Sequence, residues 1–320
     1  MKTMMLVLAA LAASPVVAQT FPQRPLRLVS PFAPGGGNDL VSRTLAQAMA
    51  KNLGQPVVVD NRPGATTIIG MEIVARAPAD GYTLVMSSST LAINVTLYPK
   101  LPYDVLRDFA PVSLVATTPL ILAVHPAQPV SSVAELIALA KARPGELFYP
   151  SAGTGDAPHL AAELFNITAG VKLVHVPYKG AAIGIGDLVA GRLALMFGTS
   201  PTTLPYVRSG RLRAIAVTAL KRSAVMPELP TVAESGLPGY ESGSWYGMLA
   251  PAQTPRAVVA RLAAEISSAL QSAEVRERLK GQGVDPVGNS PAQFATYIKQ
   301  EIVKWAKVMH AADIRADAAY

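Results

Sequence analysis

Residues 31–39 read Pro31-Phe32-Ala33-Pro34-Gly35-Gly36-Gly37-Asn38-Asp39 and join a strand-like apolar run (26–30) to a helix-like one (40–53). Three consecutive glycines at such a corner let backbone amides approach a ligand without interference from side chains. The helix that follows begins with unpaired N–H groups and the positive end of its dipole, both of which favour an anion. The stretch therefore predicts either an anion-binding loop or a plain glycine-rich turn, and alone it does not separate the two.

A second corner of the same kind reads Ser151-Ala152-Gly153-Thr154-Gly155-Asp156-Ala157-Pro158-His159. A predicted strand (147–151) ends there, two glycines free the backbone, and a predicted helix (158–169) begins. Open α/β sheets bind ligands in the crevice beyond the carboxyl ends of their strands. One such corner in each half of the chain favours a shared binding cleft over two independent turns.

The chain as a whole alternates strand and helix patterns in two series and ends in helices. Strands are predicted at 26–30, 57–59, 83–87, 121–124, 147–151, 173–176, 193–197, 212–217 and 245–251, and helices at 40–53, 70–77, 133–142, 158–169, 257–270, 273–280 and 291–311. This rhythm predicts an α/β fold of mostly parallel sheets flanked by helices. Because a mature chain of about 300 residues suggests two domains, we expect two lobes with a ligand cleft between them.

The first 18 residues have the features of a secretory signal peptide. Lys2 supplies the positive start, residues 4–13 supply an apolar core, and Val16 and Ala18 are the small residues that place the cut before Gln19. Later apolar runs are shorter than the roughly 18–20 residues of a membrane span. The sequence contains no cysteine, which excludes disulfides and a lipid anchor on a thiol. We expect a periplasmic protein that is not itself embedded in the membrane.

The composition argues against several classes of partner and chemistry. The formal net charge is +7, but the basic residues are scattered, whereas nucleic-acid binding usually needs a clustered patch. The sequence lacks a Gly-x-Ser-x-Gly elbow, a Walker phosphate-binding motif and the third glycine of a dinucleotide fingerprint. It also lacks the residue spacing of a metal site. We expect a binding protein without catalytic residues, metal, cofactor or nucleic-acid partner.

Three further features are candidates for ligand contact, each with a plainer alternative. The hydroxyls of Ser87-Ser88-Ser89-Thr90 follow a predicted strand, where they either donate to a carboxylate or belong to an ordinary loop. Lys179, in Tyr178-Lys179-Gly180, either supplies a point charge to an anion or is solvated. His159, in the first turn of a predicted helix, either lines the cleft as a donor or ties its own loop together.

Several blocks, in order from about residue 22 to the end, resemble the periplasmic solute-binding proteins of tripartite tricarboxylate transporters, also called the Bug family. The blocks are PFAPGGGND (31–39), DNRPGA (60–65), VARAPADGYTL (74–84), LPYD (101–104), DFAPV (108–112) and HVPYKG (175–180). The resemblance implies a two-lobed periplasmic-binding-protein fold that closes on its ligand. It places lobe one at residues 19–121 and 248–320, and lobe two at residues 122–247.

The resemblance also implies a ligand, a partner and a set of site residues. The ligands are mostly small carboxylates, held through one carboxylate by main-chain amides and ordered water of lobe one and delivered to membrane permease subunits; we expect a monomer. The implied ligand-binding residues in lobe one are Phe32, Pro34, Gly35, Gly36, Asp39, Gly64, Ala65, Thr66, Ser87, Ser88 and Ser89. Those in lobe two are Ser151, Gly153, Thr154, Gly155, His159, Tyr178, Lys179 and Asp187.

Two positions leave alternatives open. The family often carries further glycines after Arg-Pro-Gly-Ala, where this chain has Thr66-Thr67-Ile68-Ile69, and these bulkier residues would narrow the pocket or shift a bridging water. Asp187 either faces the pocket or caps a short helix at 188–190. In the pocket it would favour a ligand amine or hydroxyl over a second bare carboxylate.

The leading interpretation is a capture protein that binds an organic acid between two lobes and delivers it to a permease. A sensory component that docks on a receptor kinase would keep the fold and change the role. An exported hydrolase that uses a serine, His159 and an aspartate is the third alternative, which the missing nucleophile elbow disfavours.

Overall fold

The computed structural model describes residues 21–223, 225–311 and 314. Its strands are β1 (Leu26–Ser30), β2 (Val57–Asn61), β3 (Thr83–Ser88), β4 (Phe109–Val124), β5 (Leu147–Ser151), β6 (Leu173–Pro177), β7 (Leu195–Thr199), β8 (Arg213–Val217), β9 (Gly243–Pro251) and β10 (Asp285–Pro286). Its helices are α1 (Gly37–Leu53), α2 (Ile68–Ala75), α3 (Thr90–Leu97), α4 (Val133–Ala142), α5 (Ala157–Ala169), α6 (Ala181–Val189), α7 (Ser200–Arg208), α8 (Arg256–Gln271), α9 (Ala273–Gly281) and α10 (Pro291–Ala311). The predicted signal peptide and its cleavage site before Gln19 lie outside the described residues.

Lobe one is built on a sheet with the strand order β2-β1-β3-β9-β4-β10. Leu28 and Met86 point to one face of this sheet, against α1 and α8, whereas Val29 and Val85 point to the other, against α3 and α10. The alternation follows from the two-residue period of a strand. Both faces are therefore buried, as expected for strands with helices on both sides.

Strand β4 carries the chain from lobe one into lobe two. Its first part, from Phe109 to Pro119, pairs antiparallel with β9, and its last five residues pair antiparallel with β7 and β8. Leu122 belongs to one core cluster of lobe two and Ile121 to the cluster on the opposite face. The strand predicted at 121–124 is thus the end of a much longer crossing strand.

The predicted α/β architecture in two lobes is confirmed. Parallel pairing holds for β1 with β2 and β3 and for β5 with β6. In the sheet of lobe one, the crossing strand β9 is antiparallel to both β3 and β4, because it enters this sheet from lobe two. The predicted lobe boundaries at 121/122 and 247/248 fall inside β4 and β9 and stay a prediction.

Three helices were absent from the sequence prediction: α3, α6 and α7. The hydroxyl-rich stretch after β3 begins α3, where Ser88 Oγ accepts the Thr90 N–H. Helix α6 contains Gly184, a poor helix former, but the backbone packs so tightly that a Cβ there would come within 2.7 Å of Pro150. Helix α7 contains Pro205 in its interior. Tertiary packing overrides local propensity at all three.

The described helices differ in length and in apolar content. None of those among the described residues combines the length and the apolar content that crossing a bilayer requires.

Candidate ligand-binding site

Strand ends and helix starts converge on a cavity between the lobes. The first turns of α1, α3, α5, α6 and α7 all contribute to an inner chamber of about 60 Å³, which adjoins an outer chamber of about 480 Å³. The two chambers share wall residues and are continuous, the shared residues being Phe32, Ala33, Ala152, Asp156 and Gly180. Converging helix N-termini give the inner chamber a positive potential from backbone dipoles.

Asp39 stabilises the glycine corner of lobe one through hydrogen bonds. Gly35 has a φ of 80°, and its N–H donates to Asp39 Oδ2 over 3.0 Å. Arg43 Nε donates to the same oxygen over 3.1 Å, and Asn61 Nδ2 donates to Oδ1 over 2.9 Å. Burial opposes ionisation of Asp39, but these hydrogen bonds outweigh it and lower its pKa. Asp39 shapes the loop and lines neither chamber.

The first turn of α1 is open to the inner chamber. Its N-cap is Gly36, and no side chain among the described residues caps its N–H groups. Gly37 fits only because it lacks a Cβ, which would lie 2.5 Å from Tyr246 Oη and 2.8 Å from Thr199 Oγ1. The buried Tyr246 hydroxyl makes no well-formed hydrogen bond to a described residue, and it lines the chamber. Backbone amides and a hydroxyl donor are thus left for a small anion.

Across the cleft, the first turn of α5 is capped by the protein's own carboxylate. Asp156 accepts the His159 N–H at Oδ1 over 2.9 Å and the Ala152 N–H at Oδ2 over 2.7 Å. Burial raises the pKa of Asp156 to about 7, although both N–H donors act to lower it. Asp156 lines both chambers and is the one acidic side chain among the described residues that do so.

His159 lies behind the cavity wall. Its Nδ1 accepts the Gly155 N–H over 2.9 Å, and its ring stacks on His175 with 3.9 Å between centroids. Burial, followed by the neighbouring His175, lowers the pKa of His159 to about 3, so the ring is neutral. Ser151 Oγ hydrogen-bonds His175 Nε2 over 2.6 Å. His159 therefore ties its loop together, and like Ser151 and Gly155 it lines neither chamber.

The loop after β6 brings Tyr178 and Lys179 to the outer chamber. Tyr178 Oη donates to Asp187 Oδ2, and Arg192 Nη2 donates to Asp187 Oδ1, each over 2.6 Å. Burial, with the neighbouring carboxylate, raises the pKa of Tyr178 to about 12, so it remains a donor. Asp187 lies inside α6, whose N-cap is Gly180. Asp187 therefore neither caps a helix at 188–190 nor reaches the chambers, and it acts by holding Tyr178.

A strained loop forms the lobe-one wall of the outer chamber. Ala65, Thr66 and Thr67 have φ values of 45°, 48° and 78°, in the left-handed region that non-glycine residues rarely adopt. Asn94 Nδ2 donates to Thr66 O over 2.8 Å, and Tyr98 Oη donates to Thr66 Oγ1 over 3.0 Å. Glycine would adopt this backbone without strain. In this chain an alanine and two threonines adopt it instead, and they form part of the wall.

Roughly half of the sequence-predicted site residues meet on the chamber walls. The wall holds Phe32, Gly36, Gly64, Ala65, Thr66, Ser88, Gly153, Thr154, Tyr178 and Lys179. The residues outside it are Pro34, Gly35, Asp39, Ser87, Ser89, Ser151, Gly155, His159 and Asp187. Ser87 and Ser89 lie outside the wall because their hydroxyls hydrogen-bond β9, at Gly247 O (2.9 Å) and Ser244 Oγ (3.1 Å).

Thr90, from the predicted hydroxyl stretch, also lines the inner chamber. The sequence analysis missed several other wall residues, namely Tyr98, Asp156, Thr199, Thr202, Ser244 and Tyr246. Thr199 ends β7 and Thr202 follows it, so the strand-end rule that found the glycine corners applies to them as well. Ser244 and Tyr246 lie within the crossing strand β9, where no local signal marks a binding residue.

Known proteins share this architecture closely. The solved structure of Rpa4515 of R. palustris with adipate superposes with a TM-score of 0.91 at 38% identity, covering 93% of this chain and 100% of that one. MatC of Rhodopseudomonas palustris with bound malate gives a TM-score of 0.85 at 34% identity, covering 90% and 99%. The protein BugT of Bordetella pertussis is 42% identical over 299 residues, or 93% of this chain and 92% of BugT.

The family assignment rests on a match along most of the chain. The family profile described as the tripartite tricarboxylate transporter family receptor, TctC, matches residues 41–314. This agrees with the sequence blocks, with the two-lobed fold and with the identity to BugT. The protein belongs to the receptor family of the tripartite tricarboxylate transporters.

Proposed function

We propose that this solute-binding protein captures a small organic di- or tricarboxylate, or a related acid, between its lobes and delivers it to a tripartite tricarboxylate-type permease. The observation that carries the proposal is the uncapped first turn of α1 at the inner chamber. Neighbouring donors, including Ser88 and Tyr246, line the same chamber. Relatives solved with adipate and with malate support a carboxylate as the ligand class.

The charges of the cavity fit recognition by amides rather than by an arginine clamp. Lys179 is the one cationic side chain among the described residues of the chamber walls, and it lies in the outer chamber. Each good hydrogen bond to a charged group contributes about 1.5–3 kcal/mol. A few of them in a cleft that excludes water suffice for micromolar affinity.

The proposal extends to location, state and chemistry. The protein acts in the periplasm as a monomer, with lobes divided at residues 121/122 and 247/248, and it releases its ligand unchanged. The hydrolase alternative needs His159 as a base at the cavity, but its Nδ1 accepts the Gly155 N–H. We propose that the predicted site residues on the chamber walls contact the ligand. The remaining predicted site residues hold the wall residues in place.

A thermal-shift screen of organic acids, neutral sugars and cations, followed by calorimetry, tests the proposal. We expect at least one carboxylate to raise the melting temperature in a saturable manner. Its monoamide, in which the bound carboxylate is lost, should bind far more weakly. Stabilisation by a neutral sugar or a cation, with no response to any acid, would refute a carboxylate receptor.

A further inference from the structure

Asp156 differs from the other polar groups that face the cavity. It is only 4% exposed, and it forms part of the wall of both chambers. Its oxygens accept one backbone N–H each, from His159 and Ala152. The Ser151 hydroxyl also acts on this carboxyl. Since a carboxylate offers about four acceptor positions, a position remains for a further donor.

The small inner chamber brings Asp156 close to whatever binds at α1. Its wall contains Gly36 and Gly37 from the first turn of α1 as well as Asp156 and Ala157 at the start of α5. A volume of about 60 Å³ leaves room for a carboxylate and the atoms bonded to it. Because the first turn of α1 and Asp156 line the same small chamber, we expect the substituent on the carbon next to that carboxylate to lie beside Asp156.

We propose that Asp156 selects the ligand by accepting a hydrogen bond from a hydroxyl or ammonium group next to the carboxylate that α1 binds. The inference rests on the proposed function and names its substrate class: 2-hydroxy or 2-amino acids. An unsubstituted acid leaves the buried acceptor without a donor, which carries a desolvation penalty. A bare second carboxylate at the same place meets a like charge above about pH 7, where Asp156 is ionised.

The outer chamber accommodates the rest of such a ligand. Lys179 is part of its wall, so a second carboxylate at the far end of the ligand meets a cationic donor there. A 2-hydroxy dicarboxylate thus satisfies α1, Asp156 and Lys179 at once. A simple dicarboxylate of the same length satisfies only the two ends.

Matched acids provide the test, with calorimetry on the full mature chain. The pairs are malate with succinate and 2-hydroxyglutarate with glutarate, with glutamate as the amino acid. For the wild type we expect the hydroxy member of each pair to bind at least about tenfold more tightly. In Asp156→Ser the preference should fall to within about twofold, because serine still caps α5 but removes the charged acceptor.

Two further variants make the result decisive. Glu146→Gln removes a negative charge from an exposed ion pair with Arg143 in lobe two and should keep the wild-type preference. Asp156→Asn has a side chain of the same size, and it replaces the serine variant in the binding test if that variant folds poorly. Equal binding of both members of each pair by the wild type, or a preference that survives in the folded Asp156 variants, overturns the inference alone. If no acid binds the wild type at all, the proposed function falls with it.

Discussion

Replacing Gly37 by alanine probes the point where the two lobes meet at the first turn of α1. A Cβ there would lie 2.5 Å from Tyr246 Oη and 2.8 Å from Thr199 Oγ1, whereas ordinary contact begins near 3.4 Å. Tyr246 is buried in the crossing strand β9, and Thr199 ends β7 of lobe two. Relief of this overlap requires Tyr246, Thr199 or the first turn of α1 to shift.

The size of the effect follows from the overlap. Forcing a methyl group into a packed site costs about 1–3 kcal/mol, against a gain of at most ~1 kcal/mol from the higher helix propensity of alanine. If the lobes stay in contact without ligand, the free energy of unfolding falls by about 1–2 kcal/mol. If the lobes separate without ligand, the overlap arises only when they close on the ligand. The cost of about 1–3 kcal/mol then weakens ligand binding, and Kd rises about 5- to 150-fold.

Urea unfolding of a double-mutant cycle, with calorimetry on the best acid found, measures both outcomes. Tyr246→Phe removes the nearer oxygen, so Gly37→Ala should cost at least about 1 kcal/mol less in that background. Gly186→Ala is the matched control, because a Cβ at Gly186 in α6 has no neighbour within 4 Å. The reasoning fails if Gly37→Ala retains both its unfolding free energy and its affinity, or if removing the Tyr246 hydroxyl leaves the penalty unchanged.

Three further predictions concern strain, pH and buried hydrogen bonds. Ala65→Gly, at a φ of 45°, should raise the free energy of unfolding by ~0.5–1 kcal/mol, because relief of left-handed strain exceeds the entropy cost of glycine; a lower urea midpoint would contradict this. Since burial raises the pKa of Asp156 to about 7, its contribution to stability is present below about pH 4 and is lost as the pH rises towards 7. The unfolding free energy of the wild type relative to Asp156→Asn should then decline by up to about 1.4 kcal/mol per pH unit in that window, and a difference that rises with pH would refute the shift. Glu301 Oε2 accepts Nε1–H from both Trp245 (3.0 Å) and Trp305 (2.9 Å), so Glu301→Ala should destabilise the protein by about 3 kcal/mol in urea unfolding, and an equal loss in Glu301→Gln would show that the acceptor oxygen is not the cause.

The position of the site was predictable because strand ends and helix starts are visible in the sequence. The corners at Gly35–Gly37 and Gly153–Gly155 lie on opposite sides of the cavity, as the strand-end rule for α/β sheets requires. Which side chains face the ligand was not predictable. Asp39 and His159 follow glycines and look available, but the N–H groups of Gly35 and Gly155 already donate to them.

The missed wall residues have a different cause. Tyr246 and Ser244 lie on β9, and they reach the cavity only because that strand crosses between the lobes. Their position depends on contacts more than a hundred residues apart along the chain, and no local pattern encodes such contacts. Local propensity likewise failed at α6, where Gly184 is required by close packing on Pro150 rather than by helix formation.

The two glycine corners look alike in sequence but present opposite polarity to the cleft. At α1 the N-cap is Gly36, so the amides of the first turn remain for an external anion. At α5 the N-cap is Asp156, whose carboxylate satisfies the N–H groups of the corner and turns the helix start into an acceptor. A single residue at the cap therefore decides whether a strand-to-helix corner attracts an anion or a donor. In this receptor the cleft has one of each, which suits a ligand that carries a carboxylate and a hydrogen-bond donor side by side.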